Sequence, residues 1–115
     1  MNIDVKWERK DGFLIARPSG PIDSITASEF QSVLESGIDP GEQALVLDVE
    51  QVSFISSAGI RIFLLLARKF NELGKQFGIC ALSDPIRNVI TTGGFDKIIS
   101  VYDSQAAAIN AFKGS

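Results

Sequence analysis

A single α/β domain on a mostly parallel sheet is the fold class this chain predicts, and three observations lead to it. Its 115 residues suit one domain, residues 1–115, with room for a real core. After an opening hairpin, short apolar runs alternate with segments of helical periodicity, the pattern of right-handed crossovers. The run Ala44-Leu45-Val46-Leu47-Asp48-Val49 is apolar almost throughout, as expected of a strand covered on both faces.

The elements follow in order. Val5 to Arg9 and Phe13 to Pro18 read as paired strands, because Asp11-Gly12 between them is a strong hairpin turn. Ser19-Gly20-Pro21 is expected to break the second strand. A helix from about Thr26 to Ser36 carries Phe30, Val33 and Leu34 on one face, and Gly37 suits its C-terminal cap. Asp39-Pro40-Gly41 is a surface turn. The apolar strand from Ala44 follows, then a loop expected over Val52 to Gly59. The next helix, Ile60 to Leu73, has Ile60, Phe63, Leu64, Ala67 and Phe70 as its inward stripe. Phe77 to Leu82 is a strand. Asp84 is expected to cap a helix that begins with Pro85, carries Ile86, Val89 and Ile90, and stops at Gly93-Gly94. A short strand, Ile98 to Tyr102, precedes a terminal helix, Gln105 to Phe112, capped by Asp103 or Ser104. The prediction is therefore a mixed, mostly parallel sheet with an N-terminal hairpin and four helices.

Composition excludes several functions. There is no histidine and only one cysteine, so Cys/His zinc sites and His-dependent nucleophilic triads are absent. No cofactor, metal or catalytic residue is expected. A net charge of −3 without a basic run argues against nucleic acid and against a polybasic membrane patch. No apolar run is long enough to span a bilayer, and Met1-Asn2-Ile3-Asp4 does not open like a signal peptide, so a cytoplasmic location is expected. Cys80 lies in an apolar strand and reads as a buried, inert thiol.

The segment Asp48-Val49-Glu50-Gln51-Val52-Ser53-Phe54-Ile55-Ser56-Ser57-Ala58-Gly59-Ile60-Arg61 carries the functional signal. It places two serines and a glycine where a strand hands over to a helix, at free N–H groups and a positive dipole end. A hydroxyl there either caps the helix or accepts a phosphate. Gly20-Pro21-Ile22-Asp23, Leu47-Asp48-Val49, Val52 to Ile60 and Thr92-Gly93-Gly94-Phe95-Asp96-Lys97-Ile98 occur in an order and spacing that together resemble a STAS domain. The resemblance is to the small bacterial anti-sigma-factor antagonists and covers essentially the whole chain.

The resemblance implies a phosphoacceptor at Ser57, with Ser56 as the alternative. The family's preceding Asp falls on Ser56 and its second hydroxyl residue on Ala58, so the chain departs from the family at both. It further implies a partner switch: the unphosphorylated protein binds an anti-sigma factor and frees a sigma factor. That anti-sigma factor is also an ATP-dependent serine kinase, and a serine phosphatase resets the system. The protein is then a ligand and a substrate, not an enzyme, and a monomer suits the role. The expected partner surface comprises Asp23, Ser56, Ser57, Ala58, Gly59, Ile60 and Arg61. Plainer readings stand beside these: the serines as caps, Asp23 as a turn or cap residue, Asp48 as a hydrogen-bonded structural carboxylate, and Arg61, Arg68 and Lys69 as a solvated face. Phe54, Phe63 and Phe70 are expected in the core, while Trp7 is left between core and exposed anchor. Two other uses of the module stay open: control of a non-sigma output such as a phosphatase, stress complex or transporter, and sensing of a small nucleotide or lipid ligand.

Overall fold

In the computed structural model, which describes residues 3–114, β1 (Asp4–Lys10) and β2 (Phe13–Ile22) form an antiparallel hairpin. Met1 and Asn2, where the expected N-terminal reading begins, lie outside the described residues, as does Ser115. The hairpin turn is made by Asp11 and Gly12, both at positive φ (55° and 83°), as the Asp-Gly signal predicts. Then come α1 (Ala27–Gly37), β3 (Ala44–Asp48), β4 (Gln51–Ile55), α2 (Ser57–Glu72), β5 (Gln76–Cys80), α3 (Asp84–Thr92), a 3-10 turn at Phe95–Lys97, β6 (Ser100–Tyr102) and α4 (Gln105–Lys113). The sheet order is β1-β2-β3-β5-β6, with β4 also paired to β2, and every pairing except the hairpin is parallel.

Strand alternation divides the core into two layers. Leu14, Ala16, Leu45, Leu47, Phe77 and Ile79 point to one face, under Phe30 and Leu34 of α1 and Phe63 and Phe70 of α2. Ile15, Val46 and Cys80 point to the other, under Ile109 and Phe112 of α4. A one-residue slip would reverse every one of these side chains, so double-sided burial fixes the register. Burial pushes the Cys80 thiol up to about 12, and the Asp48 and Glu50 carboxylates add to the effect. Native protein at pH 8 is therefore expected to give no reaction with a thiol reagent, and stoichiometric reaction once unfolded; rapid labelling of the native form would contradict the buried placement.

The structure corrects several expectations. Ser19-Gly20-Pro21 does not end the second strand: β2 runs on to Ile22 because β4 pairs with its second half. A strand, β4, occupies most of the expected 52–59 loop, and α2 begins at Ser57, not Ile60. β5 stops at Cys80, and Ser83, not Asp84, holds the N-cap position of α3, without a side-chain capping hydrogen bond. Gly37 is the last residue of α1 and Ile38 is its C-cap. Any Cβ at Gly37 would sit 2.1 Å from Trp7 Cζ2, so the glycine makes room for the indole. Trp7 is accordingly a half-buried residue packed on the core. Val89 is exposed, and so is Phe54, contrary to its core assignment.

Candidate functional site

The site is made where β2 and β4 end side by side. The register runs Gly20↔Val52, then Pro21↔Phe54 and Ile22↔Ile55, so Ser53 is an extra residue forming a bulge. The bulge lets Val52 and Ile55, three apart, both be buried, and it turns Phe54 out to 55% exposure. The ends are tied by Ser56 N–H donating to Ile22 O at 2.9 Å. The turn after Ile22 is thereby held beside the start of α2.

That turn is self-braced. Asp23 Oδ1 accepts from the N–H groups of Ile25 (2.9 Å) and Thr26 (3.0 Å), and Asp23 N–H donates to Thr26 Oγ1 at 3.0 Å. Thr26 is buried, and its hydroxyl donates to Pro21 O at 2.8 Å. The N–H groups of Thr26 and Ile25 hold the Asp23 carboxyl below the usual carboxylate range. Its second oxygen has no partner among the described residues, so Asp23 both braces the turn and offers a charge. Ile25, in the same turn, is 80% exposed.

At the start of α2 the two serines part ways. Ser56 is the N-cap by position, with extended backbone (φ −98°, ψ 175°), yet its side chain accepts no capping hydrogen bond. Its Oγ is buried and unpartnered among the described residues. Ser57, the first helical residue, is exposed. The first intrahelical bond runs from Ile60 N–H to Ser56 O at 3.0 Å, so the N–H groups of Ser57, Ala58 and Gly59 precede the ladder. No acidic residue lies in this first turn. Arg61, four residues after Ser57, shares its helix face, is exposed, and has no carboxylate partner among the described residues.

Gly59 and Ile60 turn inward. Ile60 is only 5% exposed. A Cβ on Gly59 would meet Ile22 Cγ2 and Ile55 Cγ1 at 2.7 Å each and Ile22 O at 3.0 Å. Helix α2 rests directly on the strand ends at this point. The expected surface is thus divided: Ser57 and Arg61 are exposed and Asp23 and Ala58 partly covered, while Gly59 and Ile60 form the seat beneath. Sequence reasoning missed Phe54 and Ile25. The three-residue spacing of Val52 and Ile55, which fits no regular strand, was the available signal for the bulge.

Asp48 sits one layer away as a structural carboxylate. Its Oδ1 accepts from Glu50 N–H at 3.0 Å, its Oδ2 accepts from Gln105 Nε2 at 2.6 Å, and Arg17 Nε lies 3.6 Å from Oδ2. Among the described residues no cluster of ligating side chains suits a metal ion, and no helix is long and apolar enough to cross a membrane.

Comparison with known proteins gives a consistent picture. A family model for the STAS domain matches residues 4–108. A Bordetella bronchiseptica protein assigned as anti-sigma factor antagonist BtrV is 36% identical over 106 residues, covering 92% of this chain and 91% of that one. The crystal structure of an anti-sigma factor antagonist from Mycobacterium paratuberculosis superposes with a TM-score of 0.83 at 30% identity, covering 96% and 94% of the two chains. The same fold occurs in the Bacillus cell fate determinant SpoIIAA in its phosphorylated form, with a TM-score of 0.68 at 17% identity and coverage of 94% and 98%.

Proposed function

This chain belongs to the STAS-domain family, and from that premise we propose that it is an anti-sigma-factor antagonist switched by phosphorylation of Ser57. Residues 1–115 act as one such domain, cytoplasmic and monomeric. In the unphosphorylated state its exposed apolar side chains, Ile25 and Phe54, dock with Asp23, Ala58 and Arg61 on an anti-sigma factor and release a sigma factor. The anti-sigma factor, acting as an ATP-dependent serine kinase, transfers a phosphate to Ser57, and a serine phosphatase removes it. The protein itself catalyses neither step.

The single observation that carries this reading is that Ser57 is exposed at a helix N-terminus without a side-chain cap. An added phosphate brings about −1.5 to −2 charges. The free N–H groups and helix dipole accept that charge, so the fold withstands modification. A partner packed against the same surface meets a new anion that it must desolvate. The names of the antagonist relatives support the partner class. SpoIIAA, known in a phosphorylated form, supports the chemistry.

Titration calorimetry with the cognate anti-sigma factor tests the docking surface. The unmodified chain should bind one to one, and Phe54→Ala together with Ile25→Ala should weaken binding about tenfold or more, as loss of exposed anchors does. Full affinity in the double variant would remove those side chains from the interface.

Asp23 calls for two variants. Asp23→Ala removes the brace and the charge together, so lost binding there would be ambiguous. Asp23→Asn keeps an oxygen acceptor for the Ile25 and Thr26 N–H groups and removes only the charge. Because folding lowers this carboxyl's pKa, its stabilising contribution is present above the unfolded value of about 3.9 and disappears as pH falls through the folded value. Melting of the asparagine variant should therefore change less between pH 5 and pH 2 than that of the parent. An unaltered acid limb would show that the carboxylate stabilises nothing.

A further inference from the structure

Strand β1 is an edge of the sheet: it pairs with β2 on one side and, among the described residues, with no strand on the other. Its run Asp4-Val5-Lys6-Trp7-Glu8-Arg9-Lys10 contains no proline, and its register against β2 is unbroken. The opposite edge, β6, is only three residues long. A long, regular edge is a template for another strand.

The hairpin turn fixes which backbone groups face outward. A two-residue turn at Asp11-Gly12 makes Lys10↔Phe13 a hydrogen-bonded pair, and such pairs recur at every second residue. The backbone groups of Asp4, Lys6, Glu8 and Lys10 therefore bond to β2. Those of Val5, Trp7 and Arg9 turn to the free edge. Pro18, which has no N–H to donate, sits opposite Val5, as this phase requires.

We propose that β1 pairs antiparallel with β1 of a second copy of this chain, about a two-fold axis through Trp7. This register sets Trp7 opposite Trp7 and Val5 opposite Arg9, so every outward N–H and C=O finds a partner. It also sets Asp4 against Lys10 and Lys6 against Glu8, in the close, non-hydrogen-bonded pairs where opposite charges attract. All four of these side chains are exposed. The neighbouring registers of the same hydrogen-bond phase do the reverse. One places Lys6 against Lys6 and Asp4 against Glu8; the other places Glu8 against Glu8 and Lys6 against Lys10. Charge thus selects the register. Beside Trp7, an open groove is lined by Ser32, Val33, Ser36 and Gly37 of α1. The axis brings two such grooves together, so short side chains meet there. The contact is isologous and closes on itself. It goes beyond the partner switch: the monomer that meets the anti-sigma factor prevails when dilute, and the pair forms by mass action as concentration rises.

The test uses the purified chain alone, without kinase or anti-sigma factor, sedimented at micromolar to millimolar concentration. The average mass should rise from that of one chain toward that of two. Asp4→Lys and Lys10→Asp, each altered only at an exposed side chain, should keep the parental melting curve. Each should weaken self-association about tenfold or more, because symmetry places the like charges together twice. Mixed one to one, the two variants should associate again, since the lysines of one chain then face the aspartates of the other. In the parent, amide exchange at Val5, Trp7 and Arg9 should slow as concentration rises, while at Lys6 and Glu8 it stays unchanged. A chain that remains monomeric at millimolar concentration, or single variants that associate like the parent, would overturn the pairing. So would a mixture that associates no better than either variant, or a dimer in which those three amides exchange as in the monomer.

Discussion

Replacing Ser57 with glutamate is expected to weaken binding to the anti-sigma factor strongly while leaving the fold intact. Placing an unmatched charge in a packed interface costs about 2–5 kcal/mol, or roughly 30-fold to several thousand-fold in affinity. A glutamate carries one charge, so it should fall toward the lower end of that range and a true phosphate toward the upper. Ser57→Ala, neutral and small, should bind like the parent and be immune to the kinase. The free chain should lose no stability with either anion. Its second helix begins without an acidic residue, and an added negative group at a helix N-terminus contributes about 0.3–1 kcal/mol. Arg61, one turn further on, adds a neighbouring cation. Calorimetry and thermal melts separate the two effects. A glutamate variant that binds as tightly as the parent would mean that the interface lies elsewhere.

The second large effect is expected at Gly59. Valine there would drive its Cβ into Ile22 Cγ2, Ile55 Cγ1 and the Ile22 carbonyl. Ile22 is fully buried, and its carbonyl already accepts from Ser56 N–H, so neither can retreat without loosening the joint. Overpacking of this kind costs about 1–3 kcal/mol, a large part of a typical total of about 5–15 kcal/mol. For a domain of this size the melting midpoint should fall by about 4 °C or more per kcal/mol. Partner affinity should fall with it, because the same joint holds Asp23 beside Ser57. A valine variant with the parental midpoint would refute the close seating of α2.

Much of this architecture was legible in the chain. Asp11-Gly12 announced the hairpin, the Ala44 run announced a doubly covered strand, and Ser104 does cap the last helix by accepting from Ala107 N–H at 3.1 Å. What stayed hidden depends on partners distant in sequence. The strand β4 has no period-two pattern because its bulge at Ser53 exists only against Gly20 and Pro21 of β2. With that strand unseen, Phe54 looked like core. Ile60 was placed on the inward stripe, where the structure has it, and was also counted as partner surface, which its burial does not allow. The serine pair was visible, but their unequal access was not: a one-residue step across a helix cap buries one hydroxyl and bares the next.

Incubating the protein with its cognate kinase and ATP, then locating the phosphate by fragmentation mass spectrometry, tests the switch at its root. One phosphate is expected, on Ser57, with none on the occluded Ser56 hydroxyl. A phosphate on Ser56, or no modification under conditions where the kinase is active, would contradict it.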